Sequence, residues 1–357
     1  GQKSAGTRDQ DFLEHMFVAT NHQYMMFFTQ KGKCFWMRVY EIPEGSKTAK
    51  GRALQNLINI ESDDKVKAFI CTQDLKDKDY INSHNLIMVT KKGQVKKTSL
   101  EKYSKPRVNG VAAITIKEGD ELLEAKLTNG ESQIILAVKS GKLVRFEETK
   151  TRPMGRTASG VRGITLKDDS DEVIGMVTVD KNDINDSQVL VVTENGYGKR
   201  TKLVDEDGED VYRITNRGGK GVKTLNITEK TGKLISISGV TDADDLMIIN
   251  KSGLTIRMAV EDLRVMGRAT QGVKLINLKG NDSIAAVTKV MKDDVAEVVV
   301  DEDGNIIETE AIERVKPVLE VLEDEESADE DDEDDDDSED DEDDSEESED
   351  DDSDDEK

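Results

Sequence analysis

Side chains that usually carry catalysis are scarce in this chain of 357 residues, and none is spaced for it. The three histidines, His15, His22 and His84, show no metal-ligand spacing, and the two cysteines, Cys34 and Cys71, match no zinc pattern. No Gly-x-x-x-x-Gly-Lys-Ser/Thr phosphate loop occurs, and no Gly-x-Gly-x-x-Gly opens a helix. The acidic turn Asp301-Glu302-Asp303-Gly304 places its glycine at the fourth position, where a calcium loop needs it at the sixth, so a plain hairpin turn is expected. No cofactor or metal is implied. What does recur at fixed places is positive charge. Arg and Lys held in a regular row neutralise phosphates without reading bases, and a polyanion that follows a curved path, such as duplex DNA, is the natural ligand.

Those bases are set by a repeat. An apolar run, a polar glycine turn and a second run ending in a base read MMFFTQKGKCFWMR at 25–38, LIMVTKKGQVKK at 86–97 and IILAVKSGKLVR at 134–145. The element returns as VLVVTENGYGKR at 189–200, LMIINKSGLTIR at 246–257 and EVVVDEDGNIIE at 297–308. Such runs flanking a glycine are the signature of a β-hairpin. A second element alternates with the first: GRALQNLINI at 51–60, KPRVNGVAAITI at 105–116, MGRTASGVRGITL at 154–166, NRGGKGVKTLNI at 216–227 and MGRATQGVKLINL at 266–278. An acidic turn and a further strand usually follow, as in DDSDEVIGMVTV at 168–179.

Within the hairpins the fourth residue after the glycine is Lys97, Arg145, Arg200 or Arg257. The first copy has Trp36 there and Arg38 two residues on, and the last has Glu308. The second element carries Arg52, Arg107, Arg156, Arg217 and Arg268 at or near one position, Lys220 within NRGGKG, and Lys3, Arg162, Lys223 and Lys274 two residues after the anchor glycines. All fifteen are expected on one basic rim. As exposed side chains, Arg145, Arg200 and Arg257 are expected to be replaceable by Ala with little effect on folding.

Six copies of about four short strands, with almost no helical periodicity, predict an all-β fold. Each unit exposes an apolar face that only a neighbour can cover, so the units stack, and a six-bladed propeller-like ring fits. The six turn glycines are spaced 61, 48, 55, 57 and 51 residues apart, longer than a WD40 period, and the Trp-Asp signature is missing.

Charge divides the chain in two. The net charge is −27, yet residues 320–357 hold 29 acids and one lysine, leaving 48 acids and 49 bases in residues 1–319. The acidic segment has too few apolar side chains to offset chain entropy and is expected to be a disordered tail behind a domain at 1–319. No run of about 18 apolar residues suggests a membrane span, and the N-terminus lacks signal-peptide character. With two cysteines, a reduced, cytoplasmic setting is expected.

Residues 1–319 resemble the C-terminal domain of bacterial DNA gyrase A. The resemblance rests on RVYEIPEG at 38–45, GDELLEAKLTNGE at 119–131, RPMGRTASGVRGI at 152–164, ENGYGKRT at 194–201 and VMGRATQGV at 265–273. It implies a six-bladed β-pinwheel whose blades exchange strands and which wraps duplex DNA around its rim, presenting a segment for strand passage. It implies partnership with the rest of gyrase A and with gyrase B in an A2B2 holoenzyme that supercoils DNA using ATP. By itself the chain is expected to be a non-enzymatic monomer. The family's Gln-Arg-Arg-Gly-Gly-Lys-Gly box is expected outside this chain, since Gly1 resembles its last glycine; Arg217–Gly221 keeps five residues of the pattern in a later blade. The alternatives are the corresponding domain of topoisomerase IV, which has fewer blades, and a propeller used for protein contacts, which would be indifferent to salt and DNA. A stand-alone enzyme fits least.

Overall fold

The hairpins are antiparallel, and in four of them a polar side chain at the end of the first strand fastens the start of the second. Thr29, Thr90 and Thr193 accept at Oγ1 from the backbone N–H of Lys33 (3.1 Å), Gln94 (3.1 Å) and Tyr197 (3.3 Å), and Asn250 Oδ1 accepts from Leu254 N (2.6 Å). The computed structural model describes residues 19–44 apart from 22, 52–291 apart from 253, 279 and 281, and the strand segments 298–300, 306–309 and 320–321.

Blade 1 pairs β1 (Tyr24–Thr29) with β2 (Lys33–Arg38) and β3 (Val66–Thr72), and its fourth strand, β6 (Val111–Ala112), arrives only after the hairpin of the next blade. Blade 2 has β4 (Asn85–Thr90), β5 (Gln94–Ser99), β7 (Leu122–Thr128) and the late-arriving β10 (Val161–Arg162). Blade 3 has β8 (Gln133–Val138), β9 (Lys142–Glu147), β11 (Val173–Val179) and β14 (Val222–Lys223). Blade 4 has β12 (Gln188–Thr193), β13 (Tyr197–Lys202), β15 (Leu234–Val240) and β18 (Val273–Lys274), with β22 (Glu320–Val321) added beyond β18. Blade 5 has β16 (Asp244–Asn250), β17 (Thr255–Ala259) and β19 (Ile284–Met291). The second repeat element is therefore the exchanged strand, handed back to the preceding blade as its outermost member.

The innermost strands β3, β7, β11, β15 and β19 are those after the acidic turns, and residues from all five line one central cavity of about 770 Å³. The acids of those turns bind the hairpins: Asp64 Oδ1 accepts from Lys31 N (3.1 Å), Asp120 Oδ1 from Lys92 N (2.9 Å) and Asp171 Oδ1 from Ser140 N (3.1 Å).

The first hairpin strands are apolar on both faces because both faces are covered. Leu86 and Met88 pack towards blade 1 with Met26 and Phe28, while Ile87 and Val89 pack towards blade 3 with Ile134 and Leu136. The same alternation joins blades 3 and 4 around Val189 and Val191, and blades 4 and 5 around Leu246 and Ile248.

The blade count differs from the sequence expectation. Among the described residues there are five blades, not six. The sixth repeat forms only the hairpin β20 (Val298–Val300) and β21 (Ile306–Thr309), which pair with each other alone. A hairpin is only part of a blade: each of the five blades adds at least an inner strand, and no described strand joins β20 or β21. The apolar face of blade 1 that points away from blade 2 is covered instead by the second-element copy at 51–60. Ile58, with Leu54, Leu57 and Ile60, packs on Met25, Phe27, Phe35 and Met37, and the segment makes only the 3-10 turn Leu54–Asn56. One α-helix also lies outside the repeat, Lys78–Ser83, capped by Asp77 accepting from the N–H groups of Asp79 and Tyr80.

Strand exchange places backbone against backbone at the anchor glycines. Gly221 has φ +74°, and a Cβ there would lie 2.5 Å from the Leu143 carbonyl oxygen; Gly119 has the same φ with nothing within 4 Å. Gly119→Ala is expected to cost only the left-handed backbone penalty of about 1–2 kcal/mol. Gly221→Ala should cost about 3 kcal/mol or more, because the exchanged strand must also move. Urea unfolding of both variants checks this, and equal losses would show that the crossing is loose.

Candidate nucleic-acid interface

The predicted basic positions separate into an interior set and an exterior set. Lys97, Arg145, Arg200 and Arg257 are inside, at 7%, 1%, 7% and 3% exposure. This corrects the expectation that they sit on the rim. Arg145 donates from Nε to Gln133 Oε1 (2.7 Å) in its own blade. From Nη1 it reaches into the segment after the hairpin of blade 4, to the carbonyls of Tyr212 (2.9 Å) and Leu203 (3.3 Å) and to Asp210 Oδ1 (2.8 Å). Burial pulls its pKa below the ordinary value, and Asp210 pulls it back up.

Arg200 does the same one blade on. It donates from Nε to the Leu263 carbonyl (2.6 Å), from Nη2 to the Glu261 carbonyl (3.2 Å) and from Nη1 to Gln188 Oε1 (3.2 Å), and it pairs with Asp242. Lys97 Nζ lies 3.3 Å from Glu148 Oε1, a fully buried carboxylate that also accepts from Thr128 Oγ1 (2.8 Å) and from the N–H groups of Gly130 (3.1 Å) and Ser132 (3.2 Å). Arg257 pairs within blade 5 with Asp245, whose Oδ2 lies 2.6 Å from both Nε and Nη2.

Two further lysines escaped the sequence reading. Lys96 donates to the carbonyls of Ala113 (2.6 Å) and Arg156 (2.5 Å), and Lys199 to those of Gly267 and Arg268 (2.6 Å) and to Thr270 Oγ1 (3.0 Å). Burial, with Arg156 beside it, pushes the Lys96 pKa down to about 7. These lysines hold the crossover loops in place from below.

The exterior set sits on those loops and on the outermost strands. Arg162 is exposed on β10, and Lys223 and Lys274 are half-buried on β14 and β18, Lys274 lying 6.0 Å over the Tyr197 ring. Arg107 and Lys220 are exposed, while Arg156, Arg217 and Arg268 are half-buried. Arg217 is brought to Arg162, donating from Nη1 to the Arg162 carbonyl (3.3 Å) and from Nε to that of Lys150 (3.2 Å). Arg52 is exposed beside the 3-10 turn at 54–56, away from any exchanged strand, and Arg38 lies 4.2 Å over the Tyr24 ring. Lys3 lies outside the described residues.

A further column of bases was not anticipated. Arg152, Arg213 and Arg264 stand eight residues before the anchor glycines Gly160, Gly221 and Gly272, and all three are exposed where the crossover loops begin. The signal was present in RPMGR, RITNR and RVMGR, each with a second base four residues after the first.

Strand-exchanged blades around a central cavity, with bases displayed on the outermost strands and crossovers, define a β-propeller-type domain of the pinwheel kind. The family model described as "DNA gyrase C-terminal domain, beta-propeller" matches residues 23–73, 84–129, 133–180, 187–240 and 244–291. Each match covers the hairpin and inner strand of one of the five blades. DNA gyrase A of Staphylococcus aureus strain MRSA252 is 39% identical over 317 residues, 87% of this chain and 34% of the relative. DNA gyrase A of strain NCTC 8325 / PS 47 is 41% identical over 293 residues, 82% of this chain and 32% of the relative. The chain thus spans about a third of the length of the curated relatives it matches. A crystal structure of the C-terminal domain of DNA topoisomerase IV aligns with TM-score 0.68 and 24% identity, covering 82% of this chain and 86% of that one. A DNA gyrase A C-terminal domain structure aligns with TM-score 0.63 and 21% identity, covering 82% and 93%. This chain belongs to the family of C-terminal β-propeller domains of DNA gyrase A.

Breaking a buried ion pair leaves an uncompensated charge and costs about 3–5 kcal/mol, whereas surface substitutions stay within about 0.5 kcal/mol. Arg257→Ala should therefore unfold at markedly lower urea than the parent, and Arg162→Ala should match the parent. Indistinguishable midpoints for the two variants would return Arg257 to the surface.

Proposed function

We propose that this domain binds duplex DNA without sequence preference along the outer edge of its ring. The observation that carries the reading is the division of the bases: the interior set is engaged in buried pairs within and between blades, while Arg152, Arg162, Arg213, Lys220 and Arg264 recur outside, on the outermost strands and the crossover loops of successive blades. A duplex following that edge is bent around the ring. In a gyrase-type A2B2 enzyme, this presents a segment for strand passage, with ATP-driven negative supercoiling supplied by the rest of gyrase A and by gyrase B in the cytoplasm. Topoisomerase IV is the second reading within the same fold, and the five-blade count favours keeping it.

Each phosphate contact lowers the slope of log K against log salt by about 0.9. Arg162→Ala and Arg213→Ala should each make the slope shallower by roughly one unit and weaken binding equally on unrelated sequences. Slopes equal to that of the parent would move the DNA path off this edge.

The acidic segment is proposed to modulate this binding. Its first two residues, as β22, pair with β18 in the register Val273↔Val321 and Lys274↔Glu320, so a segment of 29 acids begins at the outer edge of blade 4. Carboxylates tethered there compete with phosphates for the same bases. Truncation after Val318 should tighten DNA binding at low salt, with the gap closing as the Debye length shortens. Identical low-salt affinities would leave the segment a solubilising role.

A further inference from the structure

Beside the unanticipated column of arginines runs a column of apolar side chains. Pro153, Ile214 and Val265 directly follow Arg152, Arg213 and Arg264, and all three are exposed, Ile214 at 38% and Val265 at 39%. The next residue in each loop is pinned to the carbonyl of a buried base: Met154 N to Lys97 O (2.8 Å), Thr215 N to Arg145 O (2.9 Å) and Met266 N to Arg200 O (2.9 Å). The same Arg-apolar pair is thus held against the strand end of the preceding blade at three consecutive junctions, blades 2 to 3, 3 to 4 and 4 to 5.

A single exposed apolar side chain needs no explanation. Three at one structural position, each fixed to the backbone beside an exposed guanidinium, do. Phosphate neutralisation alone calls for the arginine and gives the apolar neighbour nothing to do. Minor-groove contact calls for both: the groove's negative potential draws in the guanidinium, and an apolar wedge partly unstacks one base step and kinks the duplex.

We propose that Pro153, Ile214 and Val265 are wedges that enter the DNA minor groove at successive blade junctions, each guided by the arginine before it, so that the duplex turns in discrete kinks. This rests on the DNA-binding reading and adds how the bend is made.

The test compares the full chain with Ile214→Ser/Val265→Ser and with Ile214→Leu/Val265→Leu on one duplex carrying a donor and an acceptor fluorophore at its ends. Affinity is measured over a salt series and bending by energy transfer at saturation. The serine variant is expected to keep the parent's salt slope, since no phosphate contact is lost, while binding several-fold more weakly at every salt and showing lower energy transfer. The leucine variant should bend DNA as the parent does. Parent-like energy transfer in the serine variant, with DNA binding intact, overturns the wedge proposal alone. Loss of bending in the leucine variant equal to that in the serine variant also overturns it, because shape and not apolar character would then be at stake. If the parent binds no duplex at low salt, the wedge proposal and the DNA-binding reading fall together.

Discussion

One buried base fastens each of the middle blades to the next. Apolar faces supply attraction between blades but no direction, because the hydrophobic effect follows area and not angle. Arg145 and Arg200 supply the direction. Besides a bond to a glutamine of its own blade, each donates to backbone carbonyls and a carboxylate beyond its own blade's hairpin, with Arg145 Nη2 left unpaired, and Lys97 of blade 2 reaches Glu148 just after the hairpin of blade 3. A guanidinium buried in this way has few acceptable arrangements, since any donor it loses goes unpaired in a low-dielectric interior. The angle between blades, and the point at which each crossover loop leaves the core, follow from that geometry.

The same residue type therefore plays two opposed parts within twenty residues of chain. In blade 3, Arg145 is enclosed, while Arg152, seven residues later, is displayed. The near balance of 48 acids and 49 bases in residues 1–319 hides this arrangement. Several of the acids face inward, as Asp64, Asp171, Glu148 and Asp245 do in tying turns or compensating buried cations. Burial removes bases and acids alike, so what marks the outer edge is the regular placing of the remaining bases and not an excess of them.

The hairpins, their glycines and the inner strands were legible because they obey local rules: apolar runs, turn chemistry, an acid before the third strand. The exchange of strands came only with the family resemblance, since no local feature tells the dipeptide Val161-Arg162 that its partners are Val95 and Gln94 in the blade before. Burial of Arg145 was hidden for a similar reason. Its carboxylate partner, Asp210, lies 65 residues away in an acidic loop that reads as solvated surface. Counting hairpins led to six blades where the described residues form five, because a hairpin is the most recognisable part of a blade and not its most demanding one. The arginines at 152, 213 and 264 are out of step when counted from the hairpin glycines, because 205–210 lengthens the segment before Arg213; only when counted back from the anchor glycines is their spacing constant.

Strand exchange also separates the unit of sequence from the unit of structure. A gene segment running from one hairpin to the next encodes three strands of one blade and the outer strand of its predecessor. Excising such a segment would leave two blades injured, and inserting one would have to reseat an outer strand already in use. A ring of this kind can grow or shrink only when the duplicated or lost piece is offset from the visible blade, and whatever blade stands last needs chain from beyond itself to complete its edge. Its history is written in a frame shifted by one strand from its shape.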